Sequence, residues 1–397
     1  MVEKLAIHGG KPVRESYLPY SRQFIDNEDI EAVSNVLKSD FLTTGPLISK
    51  FEKEIADNVG AKYAVAFSNG TAALHAACYA AGIKDGDEVI TTSMTFAASA
   101  NCVRYLGGIP VFADIDPNTY NISPEAIKPL ITQNTKAIIP VDFTGQPAEL
   151  DQIMSLAKEH GLLVIEDAAH ALGATYKGRK IGSISDMTMF SFHPVKHITT
   201  GEGGIITTNI KDYYEKLIQF RSHGITRETT KLNEYHGSWY YEMQFLGFNY
   251  RMTDIQASLG ISQLKKLEPF IQKRKQYVQM YNKAFENKNE VKIPILPNGI
   301  DSSWHLYIIR LDLENLGTSR REIFDALQKE NIGVNVHYLP VYLHPYYQKL
   351  GYKKGLCPNA EKLYEEIISL PLFPAMSKTD VNDVIEGVNK VLSYYSN

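Results

Sequence analysis

The sequence predicts an α/β protein, a mostly parallel β-sheet sandwiched by helices, followed by a smaller C-terminal α+β domain. Two observations carry this. Between residues 63 and 208, short apolar runs rich in β-branched residues alternate with longer segments of helical period, the mark of strands joined by crossover helices. Beyond about Asp254 the order changes to a long charged helix running past Arg274, then strands near 304–311 and 333–336 with helices between and after. A length of 397 residues suits two packed domains. The division expected is residues 1–255, a large domain with an N-terminal arm, and residues 256–397, with the long helix as the connection.

The expected strands of the sheet are residues 63–67, 88–91, 109–113, 137–141, 162–166, 187–191 and 204–207. Helices on both faces free such strands from polar alternation, and most of these runs do not alternate. Helix starts are written in the side chains. Ser123 can cap with Pro124 in the first helical position. Ser319 with Glu322, and Ser377 with Asp380, have the spacing of capping boxes.

Composition excludes several classes. Hydrophobic residues at 44% and charged residues at 22% are ordinary for a folded globular chain. A net charge of −4 and the lack of any Lys/Arg block argue against nucleic acid as a partner. No run approaches the ~18 apolar residues of a membrane helix, and residues 1–20 lack a signal-peptide core, so a cytoplasmic protein without a membrane partner is expected. Cys78, Cys102 and Cys357 form no close pair and read as packing residues.

Three segments carry unusual chemistry where strands should end, the place open α/β sheets bind ligands. In Ser68-Asn69-Gly70-Thr71-Ala72-Ala73-Leu74 a glycine turn opens a helix whose free N–H groups and Thr71 hydroxyl suit a phosphate; a plain turn capped by Asn69 or Thr71 is the ordinary alternative. In Leu162-Leu163-Val164-Ile165-Glu166-Asp167 an apolar strand ends in acid, and a carboxylate there is costly unless a cation meets it. A protonated pyridine nitrogen is such a cation; a helix cap or a metal ligand are the alternatives, the second without any cluster at metal spacing. In Phe190-Ser191-Phe192-His193-Pro194-Val195-Lys196, ahead of Gly201-Glu202-Gly203-Gly204, a lysine follows a buried strand, where burial pushes an amine toward its nucleophilic form. A solvated loop lysine is the alternative.

The segments SNGTAAL, VIEDAAHALGA, FSFHPVKHITTGEGG and NYRMTDIQASLG, with LTTGP near the start, together resemble the DegT/DnrJ/EryC1/StrS family of sugar aminotransferases dependent on pyridoxal 5'-phosphate. The resemblance runs from about Pro19 to the C-terminal helices, and it implies the fold-type I architecture of that cofactor class. By resemblance Lys196 matches the Schiff-base lysine, Asp167 the partner of the pyridine nitrogen, and His170 a position, Gln or His in the family, near the ring and its phenolic oxygen. Gly70, Thr71, Ala72 and Ser191 match the phosphate cup, and Phe96 the aromatic that stacks on the ring, with core packing as its alternative. Asn249 matches an asparagine that reaches the phosphate from a neighbouring subunit, which implies a homodimer with shared active sites.

The resemblance also implies L-glutamate as donor and a nucleotide-linked keto sugar as acceptor. His193-Pro194-Val195-Lys196 with the Gly201–Gly204 turn is similar to members that aminate the 4-position. Asp142, where the common pattern has His, together with Phe220-Arg221-Ser222-His223-Gly224 and Val336-His337-Tyr338, resembles the pseudaminic acid branch, whose product is UDP-4-amino-4,6-dideoxy-N-acetyl-β-L-altrosamine. Candidate substrate contacts are Tyr20, Asp142, His193, Arg251 and His337. The Arg251 fork suits a carboxylate or a diphosphate, and His337 reads equally as a satisfied core histidine. Sugar dehydratases of the same fold replace the lysine by histidine, so Lys196 argues against them; a regulator without turnover has no need of Lys196, Asp167 and Ser191 together.

Overall fold

A computed structural model describes residues 3–396. Seven strands form one sheet: β1 (Tyr63–Phe67), β2 (Glu88–Thr92), β3 (Ile109–Ala113), β4 (Thr135–Ile139), β5 (Leu163–Asp167), β6 (Met187–Ser191) and β7 (Gly204–Thr208). Their order is β3-β2-β4-β5-β6-β7-β1. Every neighbouring pair is parallel except those made by β7, which runs antiparallel to both β6 and β1. Six of the seven strands therefore end at the same edge.

The side-chain alternation along each strand divides the core into two layers. Ala64, Ala66, Ile90, Ile138, Val164 and Ile205 point to one face, where they meet Phe51 and Ile55 of α2 (Pro46–Val59), α1 being Asn27–Leu37. Val65, Phe67, Val89, Ile139, Ile165 and Ile206 point to the other, against α3 (Gly70–Ala80), α4 (Ala98–Arg104) and, through Leu217 and Phe220, Lys211–Phe220. Both faces are dry, which is why the strands read as continuous apolar runs. Burying a single side chain of this size contributes roughly 1.5–3 kcal/mol, so the layers hold the strand ends in fixed register for whatever they carry.

The C-terminal region builds a second sheet from β8 (Val291–Lys292), β9 (Tyr307–Leu311) and β10 (Ile367–Leu370), all antiparallel, with an apolar cluster of its own that also takes in Leu5 and Leu18. The expected caps are present. Ser123 accepts from Ala126 N–H, and Ser319 with Glu322 and Ser377 with Asp380 form full capping boxes. The three cysteines are free and fully buried. No helix among the described residues is long and apolar enough to cross a membrane.

Three expectations are corrected. The strands expected at residues 137–141 and 162–166 are shifted: they run Thr135–Ile139 and Leu163–Asp167, so Pro140, which has no N–H to give a ladder, closes the first, and Asp167 is itself the last residue of the second. The long helix is two, Asp254–Leu264 and Leu267–Phe285. Pro269 lacks the N–H that a continuous helix would direct at Lys265 O, and the chain restarts so that it falls in a first turn, where no such donor is required. Residues 333–336 form no strand: Ile332 pairs only with Leu18, and Asn335 only with Ser369.

Candidate active site

The shared strand edge begins with a phosphate-sized turn. Beyond β1, Ser68 N–H donates to Tyr250 O (2.8 Å), and Asn69 caps α3 by accepting from Ala72 N–H (2.8 Å). Ala72 therefore offers no free donor, a correction to its assignment. The first-turn N–H groups of Gly70 and Thr71 have no acceptor inside the helix and sit at its positive end. A Cβ on Gly70 would stand 3.3 Å from Met189 Sδ and 3.5 Å from Ser191 Oγ, so glycine keeps the Ser191 hydroxyl beside the turn. Gly204 is needed from the other side: a Cβ there would lie 2.6 Å from the Asn69 carbonyl and the Gly70 nitrogen.

Next along the edge, Asp167 is only 4% exposed. Ser99 Oγ–H donates to its Oδ2 (2.6 Å) and Ala169 N–H to its Oδ1 (3.1 Å). Burial raises its pKa, while these bonds and the Lys196 charge oppose the rise. Burial pushes the Lys196 ammonium down to about 8, against the pull of the Asp167 carboxylate. Amine and carboxylate thus feel each other across one region of the structure, although 29 residues separate them in sequence.

Four histidines feel the same lysine. His170, His197, His305 and His337 are buried, and burial first, with the Lys196 charge adding to it, keeps each well below the usual imidazole range. All four are neutral. His170 Nε2 lies 3.3 Å from Tyr338 Oη, and its Nδ1 has no partner. His337, pushed down to about 3, has Nδ1 2.8 Å from Ser369 Oγ and Nε2 3.4 Å from Asn335 Nδ2, as a satisfied core histidine would. Its ring is 5.4 Å from that of Tyr20, whose phenol burial raises above its ordinary value.

The other expected residues divide. Phe96 is 61% exposed, with its ring 6.3 Å from that of Tyr338, so core packing does not account for it. Asn249 and His193 are exposed. Arg251 pairs through its backbone with Phe67 beside the phosphate turn, and among the described residues its guanidinium has no ion pair. Asp142 is the clear correction. It is fully buried; Ala148 N–H donates to its Oδ1 (2.9 Å), its Oδ2 is buried without a partner, and burial together with the nearby Glu166 charge raises its pKa. With its one bonded oxygen committed to Ala148, Asp142 clasps the 142–148 turn rather than presenting itself to a substrate.

Sequence reasoning did not find Ser99 or Tyr338. Thr95 and Ser99, with hydroxyls 2.8 Å apart, continue the chain of bonds behind Asp167. The spacing of four residues is the only local sign of that pair. For Tyr338 the partner lies 168 residues away, beyond any local pattern.

Comparison with known proteins agrees with the geometry. The model of the DegT/DnrJ/EryC1/StrS aminotransferase family matches residues 23–389. The chain is 45% identical over 381 residues to the spore coat polysaccharide biosynthesis protein SpsC of Bacillus subtilis, covering 96% of this chain and 98% of that one. Among solved structures, PseC of Helicobacter pylori, an aminotransferase involved in the biosynthesis of pseudoaminic acid, superposes with TM-score 0.89 at 34% identity, covering 96% of this chain and 100% of that one. The sugar aminotransferase Spr1654 of Streptococcus pneumoniae in its PLP form gives TM-score 0.88 at 32% identity, over 96% of this chain and 99% of that one.

Pyridoxal 5'-phosphate is the cofactor of this family, and the residues here fit it. The Gly70 cradle beside Ser191 suits its phosphate, the buried Asp167 lacks a contacting cation, and His170 Nδ1 lacks a partner.

Proposed function

The chain belongs to the DegT/DnrJ/EryC1/StrS aminotransferase family, and we propose that it moves an amino group from L-glutamate to C4 of a UDP-linked 4-keto-6-deoxy-N-acetylhexosamine, as in a pseudaminic acid type pathway. One observation carries the chemistry: a lysine amine lowered to about 8 and a buried carboxylate that feel each other's charge beside a phosphate-suited turn. When bound, pyridoxal phosphate supplies an electron sink for charge developing on carbon. Lys196 would hold it covalently, and its free Nζ would carry the proton to and from the substrate carbon. Asp167, steadied by Ser99, would keep the pyridine nitrogen protonated. Gly70, Thr71 and Ser191 take the phosphate, and Phe96 lends its exposed face to the ring.

The unpaired guanidinium of Arg251 takes the glutamate carboxylate or the diphosphate. Tyr20 and His193 remain substrate contacts in this reading, with His337 behind Tyr20. The active unit is a homodimer: Asn249 is exposed, and it follows a segment whose Trp239, Tyr241, Met243 and Leu246 are also exposed, a larger apolar display than a monomer ordinarily keeps.

The likeness to PseC along nearly the whole chain supports the acceptor. The higher identity to SpsC favours a second reading, a different nucleotide-linked keto sugar bound for a polysaccharide. Supplying glutamate with a panel of UDP- and dTDP-linked keto sugars, and identifying products by mass and NMR, tests both. A UDP-linked 4-amino sugar with matching 2-oxoglutarate is expected. Amination at the 3-position, or of dTDP sugars alone, goes against it.

A further inference from the structure

His170 is buried among rings. Its centroid is 6.2 Å from that of Phe143 and 4.3 Å from that of His305, the latter with a 38° tilt. Only its ring edge is polar. On that edge Nε2 meets Tyr338 Oη at 3.3 Å, while Nδ1 is buried with no partner. His305 does not supply one, since its own Nδ1 is likewise buried and unpartnered, and the two rings meet tilted, without a bond.

A neutral imidazole carries one proton, and the partner of one nitrogen decides which nitrogen that is. The Tyr338 phenol keeps its proton, because burial raises its pKa. Suppose His170 donated from Nε2 to the phenol oxygen. The phenol proton and the Nδ1 lone pair would then both lack partners. With the phenol as donor only Nδ1–H is left over, and a buried unmet donor is costly until an acceptor arrives. The arrangement is one acceptor short of complete.

We propose that Tyr338 is a positioning residue: its O–H donates to His170 Nε2 and fixes the imidazole as the Nδ1–H form, which presents that proton to the phenolic oxygen of the cofactor. The inference rests on the function proposed above and adds to it a control reaching the site from the C-terminal region. A phenolate that accepts a hydrogen bond needs less from the neighbouring lysine-linked nitrogen, so the bond lowers the pH at which that nitrogen loses its proton. Removing Tyr338's hydroxyl lets the imidazole turn over to its other form, and that midpoint rises.

The test uses the full chain and Tyr338→Phe, which keeps the ring and its packing against Phe96 and Phe143. Long-range proton–nitrogen NMR on protein labelled with 15N-histidine reads the tautomer with no cofactor added. His170 is expected as Nδ1–H in the parent chain and as a mixture, or as Nε2–H, in the variant. A parent chain in the Nε2–H form, or a variant with an unchanged tautomer, overturns the proposal. With pyridoxal phosphate added, the visible band is titrated with pH. Its midpoint is expected to rise severalfold to tenfold in proton affinity in Tyr338→Phe, and to stay put when Tyr338→Phe is made on a His170→Gln background, where there is no tautomer to set. Equal shifts in both backgrounds mean a merely structural role and refute the proposal. A parent chain with no visible band at any pH refutes instead the proposed function.

Discussion

Asp142→Asn should make the protein less sensitive to rising pH. Asp142 and Glu166 are both fully buried, with Ala148 N–H on Asp142 Oδ1 (2.9 Å), the Thr188 hydroxyl on Glu166 Oε2 (2.8 Å), and Asp142 Oδ2 and Glu166 Oε1 left without a partner. Burial raises both pKa values, and the Glu166 charge raises Asp142 further. The folded chain therefore keeps a proton that the unfolded chain has released. That stability is complete below the ordinary Asp value of 3.8 and is lost as pH climbs through the raised one. The loss amounts to about 1.4 kcal/mol per pH unit for one proton. Asparagine keeps an oxygen for Ala148 and cannot ionise, so its clasp does not titrate. From about pH 4 to pH 7 the variant should gain on the parent as pH rises, by at most about 1.4 kcal/mol per pH unit. At about 2.1 cal/mol/K per residue, 397 residues give roughly 0.8 kcal/mol per degree, hence a relative Tm gain of at most about 1.6 °C per pH unit. Thermal melts of both proteins across that pH range measure it. A Tm difference that is constant with pH, or that turns against the variant as pH rises, refutes the raised Asp142 pKa.

Three further outcomes follow from the site. Ser99→Ala removes a 2.6 Å bond to a carboxylate; such bonds are worth about 1.5–3 kcal/mol, so kcat should fall roughly tenfold or more with KM for the donor nearly constant, and an unchanged kcat would take Ser99 out of the account. Gly204→Ala drives a Cβ to 2.6 Å from the backbone of the phosphate turn, and overpacking of this kind costs about 1–3 kcal/mol; pyridoxal phosphate titrations should give an affinity lower by about tenfold, whereas parental affinity would contradict the turn's role. With Lys196 lowered to about 8, capture of added cofactor should speed up as pH rises, as the neutral amine increases, and level off above about 8; a flat profile from about pH 6 to 9 would contradict an amine of that kind.

The features that were legible in the sequence are those fixed by neighbours along the chain. The sheet strands are apolar because both faces are covered, and the capping boxes at Ser319 and Ser377 are written within four residues. Lys196, Asp167 and Ser191 could be singled out because each breaks an apolar run at a strand end. The helix break before Pro269 was also written, in a missing N–H, but the surrounding helical period masked it. Direction was not written at all. Nothing local says that Asp142 turns toward Ala148 N–H rather than toward a ligand, or that Ser99, 68 residues from Asp167, meets it. The segment 333–336 reads as a strand because it is extended, yet its pairing is split between Leu18 and Ser369, two partners distant in sequence.

The central claim is that one amine and one carboxylate serve the same bound ring. Borohydride reduction of the purified chain with pyridoxal phosphate, followed by peptide mapping, tests it most directly. The label should sit on Lys196 alone in the parent, and Asp167→Ala should keep that label while losing turnover. A label on another lysine, no label at all, or full turnover in Asp167→Ala contradicts the account.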